Sequence, residues 1–339
     1  MTEKALLQYL DQNPFVLAPM AGISDCAFRS FMRELNCGVV VSELVSANGL
    51  FYDSQKTRNL MAFAEDQRPV GIQLFGDNLD SLAAAAKEVE GTGADFVDLN
   101  FGCPVPKVVK KGAGSAVLKD LTQLAIVLRT VKRAISIPLT IKIRTGWDES
   151  SKNTHDVVRI AQEEGVTWVA VHGRTRAAGY SGLADWDYIS EVQAKTKMPI
   201  IGNGDIRSSQ QAVQRLQSSG CRAVMIGRGC LKNPWIFRQS LALFRGEQIE
   251  VIKDFLWVLD RLKFYLQKYS SDRIVLIQLK KFSAWFSAGY PNSAQFRRDL
   301  FSSTSVDEIY GRAQTYFVSI QHLMQADTSH EPFLMGGHG

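Results

Sequence analysis

Eight short runs of Val, Ile, Leu and Phe punctuate the first two thirds of the chain. They fall at about 14–20, 38–45, 69–75, 96–101, 138–143, 168–172, 199–203 and 223–227. Apolar throughout rather than alternating, these runs predict strands buried on both faces, as parallel strands are. Between them lie segments with apolar residues at helical spacing, such as Leu79 to Glu90, Leu121 to Ala134, Thr154 to Glu164 and Ser208 to Ser218. Eight strand–helix units in succession predict a (β/α)8 TIM barrel. An open doubly wound sheet is the competing architecture. No G-x-G-x-x-G follows the first strand, however, and no Walker motif is present.

After Arg245 the texture changes. No further glycine-punctuated strand run occurs, and apolar residues recur at helical spacing from Val251 to Tyr269, Ile274 to Ala288 and Val306 to Met324. The expected organisation is a barrel over 1–245, an all-helical domain over 246–325, and a disordered tail over 326–339.

Composition narrows the class. In 339 residues, 45% hydrophobic and 22% charged is ordinary for a soluble protein with a sizeable core. The net charge of +5 permits a polyanionic partner without requiring one. The five cysteines, Cys26, Cys37, Cys103, Cys221 and Cys230, are widely spaced with no C-x-x-C pair, so neither a disulfide framework nor a metal site is expected. Met1 to Asn13 lacks the apolar stretch of a signal peptide, and no apolar run approaches the roughly 20 residues that span a bilayer. A soluble cytoplasmic protein with no membrane partner, monomeric by default, is expected.

In such a barrel the chemistry sits where the strands end. The predicted strand ends carry Ala18-Pro19-Met20-Ala21-Gly22, then Glu43, Gln73, Asn100 with Cys103, and Lys142 with Arg144. The last three carry His172-Gly173-Arg174, Asn203-Gly204-Asp205 and Gly227-Arg228-Gly229. Glycines after strands 7 and 8 let backbone N–H groups approach a phosphate, and Arg228 adds a charge-assisted donor. An amide at Gln73 and a cation at Lys142 suit a flat heterocycle, and a lysine near a flavin stabilises its anionic reduced ring. FMN is the cofactor this set predicts. Cys103, on a Gly/Pro loop beside Asn100, is placed to hand a proton to a substrate. Each residue alone has a plainer reading: Cys103 as a buried apolar group, Lys142 as an ion-pair partner or Schiff-base lysine, His172 as a hydrogen-bonded structural residue. Polar clusters at the same end of successive strands favour a site.

The motifs Ala18-Pro19-Met20-Ala21-Gly22, Asn100-Phe101-Gly102-Cys103-Pro104, Lys142-Ile143-Arg144-Thr145-Gly146-Trp147, Val171-His172-Gly173-Arg174-Thr175 and Gly202-Asn203-Gly204-Asp205 resemble those of the tRNA-dihydrouridine synthases. Arg144-Thr145-Gly146-Trp147 and Asn292 to Arg298 most resemble the bacterial B type. The resemblance implies an enzyme that uses FMN and NADPH (or NADH) to reduce the C5–C6 bond of D-loop uridines in tRNA. Position 17 is favoured, with 20 and 20a as alternatives. It implies flavin contacts from Pro19, Met20, Ala21, Gln73, Lys142, His172, Asn203, Gly204, Asp205, Gly227 and Arg228. Hydride would pass from flavin N5 to uracil C6, and Cys103 would protonate C5 as the catalytic acid. Asn100 and Arg144 would hold the uracil.

Between Arg273 and Arg298 lie five basic residues, Arg273, Lys280, Lys281, Arg297 and Arg298, with no acidic residue among them. The charges predict phosphate contacts, with Lys280, Lys281 and Arg297 as the leading candidates and Lys110 and Lys111 as possible additions. The interleaved Phe282, Trp285, Phe286, Tyr290 and Phe296 either stack bases or pack the helices. Phe282 and Phe286 stand where this family type often has histidine and tyrosine. Two alternatives from other classes are an FMN barrel reducing a small molecule and a tRNA-binding or folding module without catalysis.

Overall fold

The computed structural model describes residues 1–248 and 253–328. Its eight strands are β1 (Phe15–Leu17), β2 (Val40–Ser46), β3 (Val70–Phe75), β4 (Phe96–Phe101), β5 (Leu139–Arg144), β6 (Val169–His172), β7 (Ile200–Asn203) and β8 (Ala223–Ile226). Every apolar run of the sequence holds one of them. All pairings are parallel, in the order β1-β8-β7-β6-β5-β4-β3-β2. A parallel bridge between Val16 and Val39 brings β1 to the start of β2 and closes the ring. Helices between the strands cover the outside, as parallel connections require.

The inside of the barrel is layered. At its N-terminal end Val16, Val39, Val41, Phe96, Trp168, Ala170, Ile201 and Ala223 form one apolar cluster with Leu6 and Leu10 of the helix Glu3–Gln12. The segment that lacks a signal-peptide pattern is therefore the barrel's floor, with Thr2 capping its first turn. Phe96 lies edge-on to Trp168 with centroids 5.1 Å apart. Its ring crosses β3 at Gly71, where a Cβ would come within 2.1 Å of it, so only glycine leaves room. Above this floor the inward positions turn polar: Gln73, Asp98, Thr140, Asn100 and Lys142 are cross-strand neighbours in register.

Four further helices follow, Phe255–Tyr269, Asp272–Phe286, Ser293–Ser302 and Val306–Ile320. The sequence pattern predicted three; Ser293–Ser302 is too short and polar for its periodicity to stand out. Residues 251 and 252, where the first predicted helix begins, lie outside the described residues. Phe282, Trp285, Phe286, Tyr290 and Phe296 are all buried, so these aromatics pack helices rather than offer faces to bases. Phe282 stacks on Phe28 of the barrel helix Cys26–Glu34 at 4.8 Å, and Arg261 pairs with Glu34 at 2.8 Å on the same contact. No helix is long and apolar enough to cross a membrane among the described residues. Of the predicted disordered tail, residues 326–328 are tied down. Ala326 N–H donates to the Gly289 carbonyl at 2.8 Å, and the Lys232 ammonium donates to the Thr328 carbonyl at 3.1 Å. Residues 329–339 lie outside the described residues.

Candidate active site at the C-terminal rim

The upper interior of the barrel is a chain of hydrogen bonds. The Gln73 amide donates to Asp98 at 2.6 Å and accepts from the Asn100 amide at 2.8 Å, and the Thr140 hydroxyl donates to Asp98 at 2.6 Å. Burial pushes Asp98 up to about 6, although Gln73, Thr140 and the Lys142 charge oppose the shift. Burial and Arg144 push Lys142 down to about 8, with Asp98 and Cys103 pulling the other way. Near neutrality both groups are ionised, and each keeps the other so.

Cys103 sits on the loop that leaves β4. Asn100 Oδ1 accepts from Gly102 N–H at 3.1 Å and from Cys103 N–H at 2.8 Å, which turns the chain sharply after the strand. Ser115 fastens the loop from outside, its N–H and hydroxyl both donating to the Cys103 carbonyl. Gly114 makes that approach possible. Its φ is +60° and a Cβ there would sit 2.8 Å from the same carbonyl. Burial raises the Cys103 pKa, against smaller opposing effects of the Val105 N–H, Arg144 and Lys142. Cys103 is therefore a protonated thiol at neutral pH.

Arginines organise the rest of the rim. Arg144 donates to the carbonyls of Gly102 at 3.0 Å, Thr175 at 3.0 Å and Gly179 at 2.6 Å, joining the loops after β4 and β6. Arg174 donates to Ser181 and Gly182 carbonyls and pairs with Asp205 at 2.7 Å. Asp205 also accepts from Ala184 N–H at 2.8 Å, so its carboxylate holds the loop and does not face the cavity unpaired. The Tyr180 ring lies between the Arg144 and Arg228 guanidiniums, at 5.5 and 4.4 Å. His172 is held well below its ordinary value by burial and by Lys142, Arg144, Arg174 and Arg228, which makes it a neutral imidazole in a cationic rim.

Lys142, His172 and the loops after β6, β7 and β8 surround a cavity of about 490 Å³, whose lining does not include Asn100, Cys103 or Arg144. Pro19, Met20, Lys142, His172, Asn203, Gly204, Asp205, Gly227 and Arg228 of the expected cofactor set line it, joined by Arg174, Tyr180 and Arg207. Ala21 and Gln73 do not line it. Ala21 is exposed on the loop after β1, and Gln73 is enclosed with both ends of its amide engaged. Among the described residues no group of three or more His, Cys, Asp or Glu side chains is arranged to hold a metal ion.

Residues 16–321 match the model of the dihydrouridine synthase (Dus) family. The chain belongs to the dihydrouridine synthase family. These enzymes are flavin-dependent oxidoreductases that modify tRNA. The chain is 38% identical over 294 residues to a probable tRNA-dihydrouridine synthase of Rickettsia conorii, covering 83% of this chain and 86% of that protein. It is 37% identical to tRNA-dihydrouridine synthase B of Pseudomonas syringae, covering 85% and 87% of the two chains. With tRNA-dihydrouridine synthase B of Pseudomonas aeruginosa it shares 35% identity over 93% of this chain and 96% of the other. Family membership accounts for the motif series, which successive strands bring to the same end of the barrel.

The three basic residues proposed for RNA fall into different settings. The Lys280 ammonium donates to the Phe301 and Ser303 carbonyls and caps the end of the helix Ser293–Ser302. Lys281 donates to the Gly22 carbonyl at 3.1 Å, on the loop after β1. Arg297 is half-buried near Tyr316. In the sequence Asp98 is one polar position in an apolar run, which does not mark it as a site residue. Its neighbours Thr140 and Gln73, polar at the same inward register, were the available signal. Tyr180 lies in a loop with no periodicity to mark it.

Proposed function

We propose that this chain reduces the C5–C6 bond of D-loop uridine in tRNA, position 17 first, with FMN as the bound flavin and NADPH as reductant, in the cytoplasm. The observation that carries the reading is a buried, protonated Cys103 on the loop after β4, beside the strand whose Lys142 lines a cation-rich cavity of flavin size. The cavity fits the cofactor. A Cβ on Gly227 would meet only Ala18 and Met20, at 3.6 and 3.8 Å, so the backbone there is open to a phosphate, with Arg228 and Arg207 alongside. Asn203 and Lys142 would face the heteroatoms of the ring, and Pro19 and Met20 its apolar edge. A bound flavin supplies the hydride that ends on C6.

The remaining work falls to the chain's own residues. Asn100 keeps one amide hydrogen for a uracil oxygen after its bond to Gln73. Arg144 donates through Nε and Nη1, and its Nη2 has no acceptor among the described residues, so that edge meets the enolate charge that develops on O4. Cys103 delivers its proton to C5. The thiolate left behind is stabilised by Arg144 and Lys142 until it regains a proton from solvent. The uridine must leave its stack to reach this depth. RNA contact outside the cavity is assigned to Arg273, Arg297 and the exposed Lys110 and Lys111, with residues 246–325 as the tRNA-binding domain.

The test is site-by-site mapping of dihydrouridine after incubating the flavin-loaded protein with NADPH and tRNA lacking the modification. Reduction at D-loop uridines by the wild-type chain, lost by about 100-fold or more in Cys103→Ala with flavin retained, is expected from removal of a general acid. Full activity in that variant removes Cys103 from the reaction.

A further inference from the structure

The loop after β1 carries Pro19 and Met20 into the cavity, and it is fastened from two sides. Within the loop, Ser24 N–H donates to the Met20 carbonyl at 2.9 Å and Met20 N–H donates to the Ser24 hydroxyl at 2.9 Å, with Gly22 at a φ of +71°. Gly22 N–H donates to Glu43. A register shift in β2 between Val41 and Leu44 marks the place where Glu43 leaves the regular ladder. The Gly22 carbonyl accepts from Gln278 at 3.3 Å and from Lys281 at 3.1 Å, both on the helix Asp272–Phe286. Beneath this contact Asp25 caps the barrel helix through Phe28 N–H, and Gln278, Arg29 and Lys281 all lie against Asp25.

We infer that Glu43, Gln278 and Lys281 form an interdomain clamp on Gly22 that positions the flavin-contacting loop, making Lys281 a positioning residue for the cofactor and not a phosphate contact for RNA. The inference rests on the cavity being the flavin site. A loop of this length, closed by its own turn, moves as a unit. Holding both the N–H and the carbonyl of Gly22 fixes where Pro19 and Met20 stand, three and two residues earlier. An ammonium bound to that carbonyl, with the charges of Asp25 and Glu43 close by, is held toward the barrel loop and is partly neutralised there, which weakens its attraction for a phosphate.

The experiment titrates apoprotein with FMN for wild type, Lys281→Met, Lys281→Arg and the double variant Gln278→Leu/Lys281→Met, then measures tRNA affinity of the flavin-loaded proteins at several salt concentrations. The expected result is an FMN Kd about tenfold weaker in the double variant and partly weakened in Lys281→Met, with recovery in Lys281→Arg and a changed visible circular dichroism of the bound flavin. The slope of tRNA affinity against salt is expected to stay as in wild type, because no phosphate contact is lost. Unchanged FMN affinity in folded Lys281→Met overturns the clamp, as does a salt slope shallower by about one while flavin binding holds. A wild-type chain that takes up no flavin overturns the functional reading itself, and the clamp with it.

Discussion

At the residue scale the site depends on which groups carry protons. Burial pushes Asp98 up to about 6 and, with Arg144, pushes Lys142 down to about 8. Above the first value Asp98 is ionised and holds the Lys142 ammonium charged; above the second that charge is lost. Uridine reduction is expected to rise through pH 6 and fall through pH 8, a bell that initial rates across the range would trace. Thr140→Val removes a hydrogen bond that favours the ionised carboxylate, so the acid limb should move up by about one unit. Lys142→Met should leave weak activity whose alkaline limb lies higher, because burial raises the Cys103 thiol above its ordinary value. A limb still near pH 8 in that variant would assign the fall to another group.

At the element scale, the rim is a set of loops braced against each other. Asn100 and Ser115 hold the β4 loop; Arg144 and Arg174 hold the β6 loop. Gly114→Ala puts a side chain at a left-handed φ and 2.8 Å from the Cys103 carbonyl. It should cost about 1–2 kcal/mol for the backbone conformation alone, read by thermal denaturation, and lower kcat more than KM as Cys103 shifts. Lys280→Met loses a helix cap and should cost about 1 kcal/mol with no change in the salt dependence of tRNA binding.

For the whole molecule, two contacts far from the cavity hold the architecture. The first helix floors the barrel through Leu6 and Leu10, both fully buried. Leu10→Ala should cost about 2–5 kcal/mol in urea denaturation, although its periodicity marks the helix only as amphipathic. The second contact is the Phe28–Phe282 stack, which makes the barrel and the last helices share one hydrophobic cluster. The Phe282 ring is fully enclosed. Phe282→Ala is therefore expected to loosen the interface by about 3–5 kcal/mol, and tRNA affinity should fall with it.

The sequence determined the strands, their parallel order and the rim, because strands buried on both faces must be apolar throughout and the residues that end them are free to be polar. Cys103, Lys142, His172 and Arg228 could be placed at one end of the barrel on that ground alone. Only the tertiary structure decided what each polar group does with its hydrogen bonds. Gln73 turned inward to Asp98 and Asn100, Asp205 to Arg174, Lys280 to a helix end and Lys281 to Gly22. A linear pattern reports which residues are polar and how they are spaced. Their partners lie on other strands and helices, tens to hundreds of residues away, and a buried donor or acceptor goes to whichever partner the packing brings within reach.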